Sequence, residues 1–381
     1  MKIMINAVST KRHAGGAFQI ACNFLVRSLQ DSSVEWFYLV SQDVDNALKN
    51  YFTSMKNERY FVFPTQPDFK KTYYNVSQQI HRLEDDIKPD VVYSIAAPSY
   101  LFFKSREVMR FTNPWVTHPN KFSWSVFSFK NRLKIKIRCS VLRFLMRKCR
   151  YFITQTETTK RGILRITKTS SENVCVVQNV LPAVYKTMDN SHLGQTYYID
   201  VACIGNPTPH KNFDIIPIVL KELKRMGVSN IRFHTTIPKE HALYGRFTEQ
   251  LKKEDLLECW VNHGRISQHE LGGVYRQCSF CFFPSLLEVF SASILEAMFY
   301  GLPILASDFP FNKDVLDDAC LYFEPKNATN AAEQLKKMII DKDLQHILKK
   351  RMEKRISMYS DYDKHFNSIV DFLKKVGNRE I

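Results

Sequence analysis

Residues 279–308 read SFCFFPSLLEVFSASILEAMFYGLPILASD, and this stretch decides the fold. Phe280 to Phe283 is an apolar run of strand length, ended by Pro284-Ser285. Ser291 to Tyr300 has the pattern of a short helix: Ser291 stands at the N-cap position, and Ile294, Leu295, Met298 and Phe299 recur at helical spacing. Gly301-Leu302-Pro303 stops that helix, and Ile304 to Ala306 resumes as a buried strand. The stretch is one strand–loop–helix–strand unit of a parallel sheet.

Two carboxylates sit in the unit eight positions apart, Glu288 in the loop and Glu296 in the helix. Loops that leave the carboxyl ends of strands in an open α/β sheet are where ligands bind. The N–H groups of Val289, Phe290, Ser291 and Ala292 lie at the helix start without helical partners and offer partial positive charge to a phosphate. Glu296 can accept hydrogen bonds from vicinal hydroxyls such as those of a ribose, and Glu288 can grip a second polyol. A nucleotide sugar has ribose, diphosphate and sugar in that order, so the unit fits one. The bland alternative makes Glu288 a solvated loop acid and Glu296 an exposed helix residue.

The surroundings carry more. E-x7-E followed by A-M-x-x-G-x-P-I-x-A-S-D resembles the donor-site signature of retaining glycosyltransferases of family 4, which have the GT-B fold. That family usually has Gly at the place of Val289 and often again at Ser291. The resemblance implies an α/β chain with two Rossmann-like domains facing a central cleft, and a C-terminal helix crossing back to the first domain.

Length and composition agree with two cores. The chain has 381 residues, beyond the comfortable size of one core, and 45% apolar content. No apolar run approaches the ~18–20 residues of a membrane span. Met1 to Val8 is short and strand-like rather than a signal peptide. The expected location is the cytoplasm. Nine cysteines spread through apolar segments read as reduced core residues, and Cys278-x-x-Cys281 lacks a second pair at zinc spacing. A net charge of +16 predicts an anionic partner: nucleotide, membrane surface or nucleic acid.

From the start of the chain, Lys2 to Ala7 reads as a strand, His13-Ala14-Gly15-Gly16 as a glycine loop, and Phe18 to Leu29 as a helix. Strand–Gly-Gly–helix is a weak phosphate-loop pattern and fits a plain tight turn equally. The resemblance places Gly15 and Gly16 facing the cleft, near donor phosphate and acceptor. Trp36 to Val40, Tyr60 to Phe63, Pro89 to Ser94 and Val108 to Thr112 are further strands. After the last of these come Asn113-Pro114-Trp115 and His118. Many family members have a His-Asp pair here, with the His beside the reacting sugar. By resemblance either Asn113 or His118 supplies that contact.

Between Val108 and Thr156 there is no Asp or Glu, while bases alternate with aliphatic and aromatic residues. A basic amphipathic helix around Asn131 to Arg147 reads as a membrane-surface element, or as the solvated face of an ordinary helix. Tyr151 to Thr154 and Val174 to Val177 are strands, with a helix from Thr158 to Ile166 between them. The expected division is a first domain at 1–182, a linker at 183–198, a donor domain at 199–357 and a returning helix at 358–381.

In the donor domain, Tyr198 to Ile204 is a strand leading into Gly205-Asn206-Pro207-Thr208-Pro209-His210-Lys211-Asn212. The family has G-R-x-x-x-x-K-(N/G) here, where Arg and Lys neutralise the diphosphate. Lys211 matches, and Asn206 takes the place of the Arg. A lysine at a helix N-terminus is disfavoured unless an anion is present. Gly264-Arg265-Ile266-Ser267 matches the turn whose backbone meets the nucleotide base in the family, so Arg265 and Ile266 join the donor-binding set. Helices follow at 327–340, 342–357 and 359–376.

The resemblance implies a retaining hexosyltransferase. It would act from a UDP- or GDP-linked sugar to a hydroxyl of a lipid-linked oligosaccharide, without a metal or other cofactor, at the inner face of the plasma membrane. The resemblance is to bacterial enzymes that build O-antigen, capsule or similar polysaccharide. The rivals are a GT-B sugar-nucleotide epimerase or phosphorylase, and a basic nucleic-acid-binding protein. The last explains the charge but not the two glutamates, and no nucleic-acid motif is present.

Overall fold

The computed structural model describes the chain except residues 12–15, 56–57, 64–70, 182–184, 186 and 195–196, and except the side chains of residues 16, 17, 71–73 and 268. Seven strands form one parallel sheet: β1 (Lys2–Ala7), β2 (Glu35–Ser41), β3 (Tyr60–Phe63), β4 (Val91–Ser94), β5 (Arg106–Arg110), β6 (Tyr151–Thr154) and β7 (Val174–Val176), in the order β3-β2-β1-β4-β5-β6-β7. Six strands form a second parallel sheet: β8 (Ile199–Cys203), β9 (Ile231–Thr235), β10 (Trp260–Asn262), β11 (Phe280–Phe283), β12 (Ile304–Ser307) and β13 (Leu321–Phe323), in the order β10-β9-β8-β11-β12-β13. The α/β class and the two Rossmann-like sheets are as the resemblance implies. Nearly every strand expected from an apolar run is present, with β5 displaced two residues toward its amino end.

Strands buried on both faces explain the continuous apolar runs. In β1, Ile3, Ile5 and Ala7 face one core with Phe24 and Trp36, while Met4 and Val8 face another with Leu39 and Val92. The second sheet is likewise covered on both faces. Val201 and Cys203 pack with Val219, Leu220 and Phe233, and Ala202 and Ile204 with Tyr275, Ile294 and Leu295.

The units are discontinuous in sequence. The first is Met1–Thr117, Lys134–Gln178 and Asp363–Ile381; the second is His118–Leu133 and Asn179–Tyr362. Two features differ from the contiguous division expected. Residues 118–133 group with the second unit, where Phe122 and Val126 pack on Leu286, Phe309 and Phe311. The segment expected as the domain linker, 183–198, is also partly built into that unit: Tyr185 is 1% exposed in its core.

Among the described residues all nine cysteines are free. In the first unit the helix Glu157–Thr167 crosses the short helix Pro114–Thr117 at Gly162, where an added Cβ would stand 2.6 Å from the Thr117 carbonyl oxygen. Gly162→Ala is therefore expected to lower stability by ~1–3 kcal/mol through overpacking, read by thermal melting.

Candidate active site

In the second sheet β8 and β11 are neighbours, and the chain order runs away from them in both directions. Their carboxyl ends are the topological switch point, where open α/β sheets bind ligands. The loop after β8 and the loop after β11 meet there. Leu286 N–H donates to the His210 carbonyl over 2.7 Å, joining the two loops.

Lys211 and Glu288 form the centre. Lys211 Nζ lies 2.6 Å from Glu288 Oε1, with the side chains only 15% and 13% exposed. The ammonium also stands 5.3 Å over the Phe283 ring, and Ser285 Oγ donates to the same carboxylate oxygen over 2.9 Å. Local geometry produces this placement. Pro209 opens a single 3-10 turn, Pro209–Lys211, and Asn212 ends it in the left-handed region at φ +57°. Lys211 is thus directed along the strand ends rather than outward from the helix that begins at Ile216. The Asn212 side-chain amide nitrogen is buried and has no partner among the described residues. Burial lowers the pKa of His210, opposed by the nearby Glu288 charge.

The helix Ala292–Phe299 starts at Ser291, whose side chain makes no cap bond and instead pairs with Ser293 Oγ at 2.9 Å. Among the described residues the N–H groups of Val289, Phe290, Ser291 and Ala292 donate to no partner. Four consecutive donors therefore stay open next to the Lys211–Glu288 pair.

Glu296 is not the exposed helix residue of the bland alternative. It is 8% exposed, and each carboxylate oxygen takes a phenol hydroxyl: Tyr185 Oη at 2.9 Å and Tyr275 Oη at 3.0 Å. Burial raises its pKa, while the two hydroxyl bonds oppose the rise. Each carboxylate oxygen has a second lone pair for another donor.

The remaining expected residues fall as follows. His118 Nε2 donates to the Glu288 main-chain carbonyl at 2.7 Å, and Asn120 Nδ2 donates to the Leu286 carbonyl at 2.8 Å. Residues 118–126 thus lie along the Glu288 loop inside the second unit. Asn113 belongs to the first unit, where its Oδ1 accepts the Trp115 N–H at 3.1 Å and shapes the turn at Pro114. The structure does not place Asn113 and His118 in one unit. Asn206 is exposed; Arg265 is exposed and faces Glu240 at 3.4 Å; Ile266 is half-buried against the Tyr275 side of the core. Gly16 opens the helix Gly16–Ser28, and Gly15 lies outside the described residues.

Sequence reasoning missed the two tyrosines on Glu296. Their only signal was an aromatic with a polar tip in a polar stretch and in a helix pattern. It also missed a polar chain crossing β8 to β10. Asp200, 2% exposed, takes Arg232 through both oxygens and His234 Nε2 at 2.8 Å, and His234 Nδ1 meets His263 Nε2 at 3.0 Å. An Asp inside the apolar run YIDVACI was its signal. Among the described residues no group of three His, Cys, Asp or Glu side chains is arranged to hold a metal.

Residues 187–355 match the family model described as glycosyl transferases group 1. This stretch is a group 1 glycosyl transferase domain. It holds Lys211, Glu288 and Glu296 together. The O-antigen chain mannosyltransferase RfbU of Salmonella typhimurium is 24% identical over 187 residues, 49% of this chain and 50% of that protein. The match thus spans about half the relative's length. A glycosyltransferase structure from Rickettsia africae superposes with a TM-score of 0.73 at 13% identity, covering 98% of each chain. HepE of Anabaena, solved with UDP and glucose, gives 0.68 at 15% identity over 98% of this chain and all of its own. These likenesses establish the fold: the chain is a GT-B protein. The group 1 domain and the mannosyltransferase relative connect it to O-antigen glycosyltransferases.

Proposed function

We propose that the chain is a retaining glycosyltransferase of family 4. It moves a hexose from a UDP- or GDP-linked donor to a hydroxyl of a lipid-linked oligosaccharide in cell-surface polysaccharide synthesis. The observation that carries this reading is the Lys211–Glu288 pair at the switch point, flanked by the open N–H groups of residues 289–292 and by buried Glu296.

The chemistry follows from that arrangement. A diphosphate is the stronger partner for Lys211 and draws it from Glu288. The released carboxylate then accepts hydroxyls of the transferred sugar. Lys211 and the fixed N–H donors stabilise the charge that grows on the departing phosphate, in a site already shielded from water. Glu296 accepts the ribose hydroxyls on its free lone pairs. His118 holds the Glu288 main chain, so it positions the carboxylate rather than touching the sugar. No metal is needed to balance the phosphate in this scheme, and transfer should persist in excess chelator.

A panel of nucleotide sugars tests the reading. The matching donor at about 100 times its Kd should add ~2.7 kcal/mol to stability. Incubated with that donor and a lipid-linked glycan, the protein should release nucleoside diphosphate in step with glycan extension. Donor consumption that yields only a free or epimerised sugar, with no extended acceptor, would assign the site to an epimerase or hydrolase instead. Stabilisation by RNA or DNA and by no nucleotide sugar would favour the nucleic-acid reading.

The acceptor side rests on the helix Phe129–Met146. Leu133, Ile137, Val141 and Phe144 recur at helical spacing along it and are 51%, 59%, 43% and 57% exposed. Lys130, Lys134, Lys136 and Arg138 are exposed around that stripe in a segment without acids. Among the described residues no helix is long and apolar enough to cross a membrane. An apolar stripe edged with cations suits the surface of an anionic bilayer. Each base near such a surface contributes ~1 kcal/mol, so each single change to Gln should weaken vesicle binding roughly fivefold. Co-sedimentation should rise with anionic lipid and fall with salt. Equal pelleting with neutral and anionic vesicles would remove the membrane from the scheme.

A further inference from the structure

We infer that the first unit has a second ligand site, beneath the connection of residues 95–105, which takes a small zwitterion whose ammonium and phosphate groups lie a few bonds apart. The inference is independent of the glycosyl-transfer reading.

The site has a structural origin. β4 and β5 are parallel neighbours, and such a connection usually carries a helix that packs on the sheet. Residues 95–105 contain no helix. They arch over the sheet and leave a cavity of about 450 Å³. That lies within the ~300–1,000 Å³ of small-molecule sites. The cavity opens at the amino ends of β5 and β6, away from the strand ends where α/β sheets ordinarily bind ligands.

Its polar groups are unbalanced in a particular way. Glu107, the second residue of β5, lines it. Its carboxylate accepts the hydroxyl of fully buried Ser94, which in turn accepts from Asn6 Nδ2 at 3.0 Å. Ser99 lies beside the same carboxylate, with its hydroxyl donating to the Leu101 carbonyl at 3.0 Å. Among the described residues no cation pairs with Glu107. Burial pushes the Glu107 carboxyl up to about 7, and the neighbouring acid Glu84 acts in the same direction.

The same cavity is also lined by Arg106, Lys148 and Arg150. Arg106 donates to the Val376 carbonyl at 2.8 Å. Lys148 stands 5.4 Å over the Phe144 ring and Arg150 5.5 Å over the Tyr151 ring. Neither pairs with a carboxylate among the described residues.

One cavity thus contains an acid without a cation and two cations without an acid. A hydrogen-bonding cation favours the ionised form of a buried carboxyl. A lone anion would meet Glu107 and a lone cation would meet Lys148 and Arg150, so each half-ligand is opposed. A phosphoethanolamine unit satisfies both ends, and Tyr100, Phe102 and Phe103 supply wall for the carbon between them. The unit occurs as a free phosphate monoester and as the phosphodiester headgroup of a phospholipid, with an ammonium and an anionic phosphate in each.

Binding must be linked to protons. The groups around Glu107 are Ser94 from β4, Ser99 from the arch, Glu84 from the helix Lys71–Ile87, Cys149 ahead of β6 with its thiol pushed up by burial, and the three cavity bases. The ammonium stabilises the ionised carboxylate, so binding releases a proton and strengthens as pH rises from about 6 to 8.

The test is calorimetric titration of the full chain with O-phosphoethanolamine, with ethanolamine and ethyl phosphate as separate controls. The zwitterion should bind at least tenfold more tightly than either control. Its heat should vary with the ionisation enthalpy of the buffer. Glu107→Gln, which keeps the hydroxyl bonds, should lose at least tenfold in affinity, and its pH dependence should shrink to that of the ligand's own phosphate, whose second pKa is about 6. Lys148→Gln with Arg150→Gln should lose a similar factor while keeping the pH dependence. Vesicles of phosphatidylethanolamine or phosphatidylcholine identify the source. Retention by the former alone, lost in Glu107→Gln, makes the ligand a lipid headgroup; binding of the free ester without vesicle retention makes it a soluble metabolite. No binding in either format, or binding unaffected by both sets of substitutions, overturns the site.

Discussion

Replacing Lys211 with alanine is expected to lower glycosyl transfer ~10²-fold or more, the scale of losing one preorganised charge stabiliser. The effect should fall on kcat at saturating donor, because the phosphate charge grows in the transition state. The ion pair complicates the single variant. Lys211 and Glu288 are both largely buried, and removing the lysine leaves the carboxylate without its cation. Breaking a buried pair this way costs stability, up to ~3–5 kcal/mol when burial is complete. Lys211→Ala with Glu288→Gln should recover most of the melting temperature and none of the activity. Glu288→Gln alone should depress turnover more than affinity for the bare nucleoside diphosphate. Asn206→Arg adds a cation one loop turn away and should tighten donor binding. Unchanged turnover in Lys211→Ala would show that another group neutralises the leaving phosphate.

Glu296→Ala is expected to act on binding and on folding together. The lost charged hydrogen bonds should weaken nucleotide binding by ~1.5–3 kcal/mol, roughly tenfold or more. The same change strands the Tyr185 and Tyr275 hydroxyls inside the core, each at a desolvation cost of ~1–3 kcal/mol. A melting transition lowered by several degrees is expected even without ligand. Tyr275→Phe separates the roles. It removes one hydroxyl without orphaning the carboxylate, so nucleotide affinity should survive with a modest stability change. Wild-type nucleotide affinity in Glu296→Ala would remove this residue from the donor site.

The sequence made the β/α order legible because strands buried on both faces must be apolar from end to end. Phe280–Phe283 and Ile304–Ser307 could be read directly. β5 was placed two residues late because its first two residues, Arg106 and Glu107, are charged. Their polarity belongs to the cavity beside them. The helix Lys71–Ile87 went unread although Val76, Ile80, Leu83 and Ile87 recur at helical spacing along its buried side. At the site, Glu288 and Glu296 were legible from spacing within one local unit, and Lys211 from its match to the family's G-R-x-x-x-x-K motif. The Tyr185 and Tyr275 hydroxyls, and His118 on the Glu288 carbonyl, join residues 111, 21 and 170 positions apart. Local periodicity contains nothing about such pairings. For the same reason the attachment of residues 118–133 to the second unit was invisible.

The discontinuity of the first unit has a consequence for biosynthesis. Phe366, Ile369, Leu373 and Val376 are core residues packed with Phe24, Trp36 and Tyr93, so the oldest part of the nascent chain is completed by residues 363–381. Domains usually fold as they emerge, amino-terminal first. Here the ribosome must finish the whole 179–362 stretch before the first sheet receives its closing helix. The second unit can therefore reach its native state while the first is still open, with the apolar side of β1 and β2 bare. During translation that surface is a natural binding place for a chaperone, and a stall or cut anywhere after Gln178 and before Asp363 would leave it uncovered.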